Sequence, residues 1–210
     1  MTDKIIYSDS ELAILRDRVA KRLSEKRFIH TLGVEDMAIR LGGIFIPDEI
    51  PSLRAAALLH DIAKEIGIGE QKGLVDECQF FGEQIETVPE ALHSFSGVAV
   101  ILTEFPEFAT DDVLHAVMYH TLGDPTMNIF AEIIFLSDYI EQGRKYQACI
   151  DVRNALFDAL SSATTHGERV KALHIATVAS INNTMLSLKE RGIALDERSL
   201  KTKIAFEALI

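Results

Sequence analysis

The residues of this chain best suited to chemistry are histidines and aspartates set within apolar segments. The chain has seven histidines, and one of them is followed at once by an aspartate, in Leu58-Leu59-His60-Asp61-Ile62-Ala63-Lys64. Burying an imidazole beside a carboxylate costs several kcal/mol unless a partner compensates both groups. A metal ion does so, because the carboxylate can bridge two cations about 3.5–4 Å apart and the imidazole supplies a nitrogen. Taken alone, the pair is weak evidence for a metal site, because a buried His-Asp hydrogen bond explains it as well. Further candidates along the chain strengthen the metal interpretation.

Lys64 and Asp138 are the next candidates. Lys64 follows Asp61 by three residues and His60 by four, so on a helix it shares their face. There it lies beside a metal-bound anion, or it is a solvated neighbour of a buried His-Asp pair. Asp138 shares a helical face with Ile134, and the nearby segments supply few cations to pair with it. Because two buried carboxylates repel each other unless a metal lies between them, Asp138 is a candidate metal ligand.

The helical phase of residues 111–120 separates two further histidines. His120 lies on the same side as the apolar Val113 and Val117, so it is expected to point inward. His115 is turned about 140° away from His120, which predicts a position at the surface or beside a metal ligand.

His30 and His93 are weaker candidates when each is taken alone. His30 follows Arg27 by three positions, and this pair suits an anion site, although a packed histidine and a solvated arginine fit the same pattern. His93 is followed by Ser94-Phe95-Ser96-Gly97, whose small residues would let another group approach closely. His166 and His174, in polar or mixed surroundings, are given no role.

Apolar residues recur mainly at helical spacing, which predicts an all-α protein. No Ser/Gly-rich or Pro-rich linker divides the chain, so we expect one helical domain over 1–210, with a metal-binding core at about 27–145. Helices from about 146 to 210 are expected to cover this core or to form a subunit interface, as in a homodimer. Gly42-Gly43 is expected to end the second helix. The predicted helices span about 9–24, 27–42, 51–65, 70–82, 89–104, 111–121, 127–142, 147–163, 167–190 and 196–208.

Composition excludes several classes of protein. With 21 basic and 32 acidic residues and a net charge of -11, the chain lacks the basic surface that binds nucleic acid, and it opposes anionic membranes. Its longest uncharged stretch, 172–188, is shorter than the roughly 20 apolar residues of a membrane span. The N-terminus lacks the apolar segment of a signal peptide, and the two cysteines lack paired spacing. We therefore expect a cytoplasmic protein that binds neither nucleic acid nor membranes.

The ordered histidines and aspartates resemble the HD-domain phosphohydrolase superfamily, whose core signature is H…HD…D. Two additional histidines between HD and the last Asp resemble the members that hold two metals. Four segments are similar to the YqeK-like family of symmetrical bis(5'-nucleosyl)-tetraphosphatases: Arg27–Val34, Ala57–Glu65, His120–Gly123 and Asp138–Arg144. Gln142 departs from this pattern, because a proline is usual at that position.

The resemblance implies an HD-type helical bundle with two metal ions in its core. One metal would be held by His30, His60, Asp61 and Asp138, and the other by Asp61, His93 and His120. The family is reported to use iron, and these ligands also suit Mn, Co, Ni or Zn while disfavouring Ca and Mg. Asp61, Lys64 and Arg27 would be catalytic, and the groups that contact the substrate would be Arg27, Lys64 and Arg144.

The implied reaction is the hydrolysis of diadenosine tetraphosphate into two molecules of ADP. A nucleotide substrate is compatible with the acidic chain, because two bound cations add about +4 to +6 charges where the phosphates lie. Two alternatives stay open: hydrolysis of a nucleoside monophosphate or deoxynucleoside triphosphate at the same site, and a non-catalytic nucleotide-binding module. The roles of Glu65 and Glu141 also stay open.

Overall fold

The structure is a computed structural model that describes residues 7–81 and 85–210. Two predictions fall partly outside these ranges: the end of the fourth helix at residue 82, and the N-terminal segment used to argue against a signal peptide. Within the described residues there are ten α-helices and no strands, which confirms the all-α prediction. The helices are α1 Asp9–Arg22, α2 Glu25–Phe45, α3 Ile50–Leu59, α4 Ile68–Glu77, α5 Leu92–Glu104, α6 Asp111–Tyr119, α7 Ile129–Ile140, α8 Gln147–Ser162, α9 His166–Glu190 and α10 Glu197–Glu207.

Helix α3 lies at the centre of the molecule. Residues 55–59 are two leucines and three alanines, and all five are fully buried. The short alanine side chains let helices α1, α2, α6 and α7 all pack against α3. This arrangement carries the end of α3, and with it the His-Asp pair, into the middle of the fold.

The prediction that the third helix continues to residue 65 is wrong. Helix α3 ends at Leu59, and the chain then folds into successive turns in which the Ile62 amide donates to the Leu59 carbonyl and the Lys64 amide donates to the Asp61 carbonyl. Neither glycine nor proline marks this end in the sequence. Lys64 is therefore positioned by a turn and not by a shared helix face.

Gly42-Gly43 does not end the second helix, which continues to Phe45. A Cβ on Gly42 would lie 2.5 Å from Leu53 Cδ1, so the glycine instead allows close contact between α2 and α3. Glu65 fixes the other end of α2. Its carboxylate accepts the Ser24 amide at 2.7 Å and the Ser24 hydroxyl at 2.6 Å, which joins the turns after α3 to the helix that carries Arg27 and His30.

The C-terminal helices contribute to the same hydrophobic core as the preceding ones. Leu156 of α8, Leu173 and Ile181 of α9, and Phe206 of α10 are all buried within it. None of the helices in the described part of the chain combines the length and apolarity that a membrane crossing requires.

Candidate metal centre

Five parts of the fold bring the six predicted metal ligands together. Four of these side chains are almost fully buried and two are partly buried. Helix α2 supplies one ligand, the turns after α3 supply two, and the start of α5, the residue after α6 and the end of α7 supply one each. In chain order they are His30, His60, Asp61, His93, His120 and Asp138.

Asp61 lies between two sets of histidines. Its Oδ1 atom is 3.3 Å from His93 Nε2 and 3.6 Å from His120 Nε2. Its Oδ2 atom is 3.5 Å from His60 Nε2 and 3.9 Å from His30 Nε2. The two oxygens thus face different ligand sets, which is the arrangement required of a carboxylate that bridges two cations.

The His60 and His120 rings are oriented in the same way by the ends of their helices. Each follows the last residue of a helix, and its Nδ1 atom lies 2.7 Å from the carbonyl oxygen three residues earlier, of Ala57 and Val117 respectively. Such carbonyls lack a partner within the helix, so the Nδ1–H groups donate to them. This tautomer leaves the Nε2 lone pairs directed toward the carboxylates, and the buried His60 Nε2 has no hydrogen-bond partner.

These donors fit a transition metal. Two groups have potential ligand atoms that all lie within 4.8 Å of one another: His30 with His60 and Asp138, and His60 with Asp61 and His120. His93 adjoins the second group, because its Nε2 atom lies 3.1 Å from His120 Nε2. Imidazole nitrogens combined with carboxylate oxygens suit iron, manganese, cobalt, nickel or zinc better than calcium or magnesium.

Glu141, whose role the sequence left open, contacts a predicted ligand. It is buried, and its Oε1 atom lies 3.2 Å from His30 Nδ1, so that it holds the ring whose other nitrogen faces Asp138 at 2.9 Å. Burial lowers the pKa of His30, but its contacts with Asp138 and Glu141 outweigh this effect and raise the pKa to about 9. A carboxylate behind a histidine ligand is a common way to orient the ring and increase its basicity.

Burial and the neighbouring charges also set the protonation of other groups. Burial lowers the pKa of His93 to about 4, so its ring is neutral and available as a ligand at neutral pH. Burial opposes ionisation of Asp61, yet its contacts with His60, His120 and His93 hold its pKa well below the usual range. His93 and Asp61 are therefore in the states that bind metal, whereas His30, with its raised pKa, must lose a proton before it can bind one.

The three predicted cations lie at the edge of this cluster. Arg27 Nη1 is 2.8 Å from Asp61 Oδ2, and Lys64 Nζ is 3.1 and 3.2 Å from the two ring nitrogens of His93. Arg144 forms an ion pair with the Asp138 carboxylate. The expectation that few nearby cations could pair with Asp138 is therefore wrong, because the chain turns back after α7 and returns Arg144 to it. Burial lowers the pKa of Lys64.

Other candidates lie outside the cluster. His115 is exposed and stacks on Tyr119, which confirms the prediction that it points outward. His174, given no role, has its Nδ1 atom 3.0 Å from the Glu132 carboxylate between α9 and α7. Glu65 is not a partner of the ligands, since it holds the start of α2.

Comparison with known proteins agrees with this geometry. The HD domain family matches residues 27–143. The protein named "Bis(5'-nucleosyl)-tetraphosphatase, symmetrical" from Halalkalibacterium halodurans is 31% identical over 186 residues, which cover 81% of this chain and 95% of that protein. The protein of the same name from Bacillus subtilis is 30% identical over 174 residues, covering 83% and 86% of the two chains.

A solved structure shows the same fold. It is described as a predicted HD superfamily hydrolase involved in NAD metabolism from Clostridium acetobutylicum, and it is 26% identical to this chain. The TM-score is 0.77, and the superposition covers 97% of this chain and 99% of the other. The family match, the relatives and the cluster of histidines and aspartates all support one assignment. The chain belongs to the HD-domain family of metal-dependent hydrolases.

Proposed function

We propose that this enzyme cleaves diadenosine tetraphosphate symmetrically into two molecules of ADP. The observation that carries the proposal is Asp61, whose two oxygens face different sets of histidines while Arg27 contacts one of them at 2.8 Å. The names of the relatives from H. halodurans and B. subtilis supply the substrate and the position of cleavage.

The proposed centre holds two transition-metal ions, with iron as the preferred metal and manganese, cobalt, nickel or zinc as alternatives. Bound metal ions of this kind lower the pKa of water and neutralise charge on phosphate oxygens. Asp61 would be the ligand shared by both ions. The first ion would be held by His30, His60, Asp61 and Asp138, and the second by Asp61, His93 and His120.

The side chains at the edge of the centre bind and orient the tetraphosphate. Arg27, Lys64 and Arg144 present cationic groups around the carboxylates, where they stabilise negative charge on the reacting and leaving phosphates. Water adds to one of the two central phosphorus atoms while the central anhydride P–O bond breaks, so each half leaves as ADP. Neither Cys78 nor Cys149 is needed as a nucleophile.

Two other functions use the same residues. A smaller substrate, such as a nucleoside monophosphate or deoxynucleoside triphosphate, would place its reacting phosphate at the same metal ligands. A non-catalytic binding module has no evident need for a complete ligand set together with Lys64, whose ammonium group lies 3.1 Å from His93 Nε2. The geometry therefore favours an enzyme over a module.

Product analysis tests the proposal. Metal-loaded protein is incubated separately with diadenosine tetraphosphate and with dATP, and the products are separated by ion-exchange chromatography. ADP as the sole product of the dinucleotide is the expected result. Formation of ATP and AMP would contradict symmetrical cleavage, triphosphate released from dATP would indicate the smaller-substrate activity, and the absence of turnover would favour the binding module.

The cellular context is a further proposal. We propose that the enzyme acts in the cytoplasm on a small nucleotide, without binding nucleic acid or a membrane. A homodimer through the C-terminal helices stays a prediction, which light scattering of the purified protein would test.

A further inference from the structure

Two cavities adjoin the metal centre on different sides of helix α9. One, with a volume of about 680 Å³, begins at Asp138 and Arg144 and extends to Tyr146 and Arg191. The other, of about 130 Å³, has mainly apolar walls and begins at Thr121, whose hydroxyl is 3.1 Å from Nε2 of both His93 and His120. Only the first falls within the range of about 300–1,000 Å³ typical of small-molecule sites. We call it the distal cleft.

The distal cleft is positively charged, although the chain as a whole carries a net charge of -11. Its described lining has two cationic side chains, Arg144 and Arg191, against one carboxylate, Asp138. That carboxylate is already paired with Arg144 and belongs to the metal centre. Tyr139 and Cys149 also line the cleft and add no negative charge at neutral pH, because burial raises the pKa of both.

The wall formed by α9 carries a regular polar stripe. Asn183, Ser187 and Arg191 follow one another at intervals of four residues and all line the cleft. They offer an amide, a hydroxyl and a guanidinium along a single face. These groups suit the hydroxyls of a ribose and the oxygens of a phosphate.

The opposite rim carries an exposed aromatic ring. Tyr146 directly precedes α8, and the residue is 77% exposed, more than any other large hydrophobic residue in the described ranges. An exposed ring beside a cationic cleft is suited to stack on a nucleobase, because every base offers a flat π-face.

From this arrangement we propose that the distal cleft binds one nucleoside-phosphate half of the substrate, with Arg191 on the phosphates and Tyr146 stacked on the base. The inference rests on the proposed function and extends it, because a substrate with two nucleosides needs a second subsite away from the reacting phosphorus. Arg144 lies where the cleft meets the metal centre, so it would contact the phosphates between the two. Arg191 and Tyr146 are binding residues in this account and have no part in the chemical step.

The test compares wild type with Arg191→Ala and Tyr146→Ala, using Lys189→Ala as the matched control. Lys189 is exposed and lies in the last turn of α9, two residues before Arg191, but it does not line the cleft. The KM for diadenosine tetraphosphate is expected to rise about tenfold in each cleft variant, while kcat stays within about twofold, because such contacts are equal in the ground and transition states. Lys189→Ala should match wild type, and Tyr146→Phe should retain most of the affinity.

A second measurement is independent of turnover. Binding of ADP to the metal-loaded protein, measured by isothermal titration calorimetry, should weaken by a similar factor in both cleft variants at unchanged metal content. Equal weakening in Lys189→Ala would overturn the inference, since general electrostatic attraction would then explain the result. Unchanged ADP binding in Arg191→Ala and Tyr146→Ala would also overturn it. If wild type fails to cleave the dinucleotide, the proposed function fails, while the ADP titrations still decide the subsite.

Discussion

His93 and His120 approach each other through their Nε2 atoms, which lie 3.1 Å apart although one ring comes from α5 and the other from the residue after α6. The Nδ1–H group of His120 is used by the Val117 carbonyl, so its Nε2 atom presents a lone pair to His93. Two nitrogens bound to one metal at about 2.0–2.1 Å lie roughly 3.0–3.4 Å apart. This spacing is the one expected of two ligands of a single ion, in agreement with the proposal that His93, His120 and Asp61 would hold the second metal.

Removing the bridging carboxylate should abolish hydrolysis. Asp61→Ala deletes the one group that faces both sets of histidines, so we expect a loss of activity of at least about 10³-fold together with a loss of bound metal. Activity and metal content are measured on the same preparation, with circular dichroism to confirm that the variant is folded. Near wild-type activity in this variant would be incompatible with a two-metal centre.

Glu141 and Glu65 provide a matched pair of glutamates. Glu141→Gln removes the carboxylate that orients His30, so metal affinity should fall by about 10–100-fold, measured by competition with a coloured chelator. Glu65→Gln should leave metal affinity unchanged and only lower the melting temperature, because this side chain holds Ser24 at the start of α2. Equal effects of the two substitutions on metal affinity would contradict the assigned roles.

Two glycines of helix α2 should respond in opposite ways to alanine. A Cβ on Gly33 would lie 2.6 Å from Glu141 Oε2, so Gly33→Ala must displace a carboxylate that His30 also contacts, and metal affinity and stability should both fall. Gly43→Ala meets no atom within 4 Å and should stabilise the helix by about 1 kcal/mol. Urea unfolding of the two variants tests this contrast, and a Gly33→Ala protein with wild-type stability and metal affinity would contradict it.

Lys64 should affect turnover more than metal binding. Its ammonium group contacts the His93 ring and is proposed to stabilise charge on the phosphates. Lys64→Met keeps the aliphatic stem but removes the charge, so kcat should fall by about 10²–10³-fold while metal content is retained. If the variant instead loses its metal and keeps the kcat of the remaining loaded fraction, Lys64 supports the ligands and does not act on the substrate.

The sequence predicts which segments are helical more accurately than it predicts where each helix ends. Periodicity located all ten helices, because apolar spacing reports which face each helix buries, but the predicted ends of α3 and α4 lie five or six residues too far along the chain. The end of α3 at Leu59 was missed since neither glycine nor proline marks it. That stop depends on His60, whose ring donates to the Ala57 carbonyl, a contact that spacing alone does not indicate.

Residues at the centre could be predicted where their chemistry is unusual for their surroundings. Asp61 stands out because a carboxylate is rare in an apolar segment, and all six predicted ligands are brought together by the fold. Glu141 could not be assigned, because its role depends on the turn at Gly143 and on space beside Gly33. The pairing of Arg144 with Asp138 likewise depends on the path of the chain after α7.

Elemental analysis is the most direct test of the two-metal centre. The protein is purified without chelators or added metal, and transition metals are counted per chain by inductively coupled plasma mass spectrometry. The account predicts two transition-metal ions per wild-type chain, with fewer in Asp61→Ala. Zero or one ion per wild-type chain would contradict it. His60 and Asp61 would then be interpreted as a buried hydrogen-bonded pair.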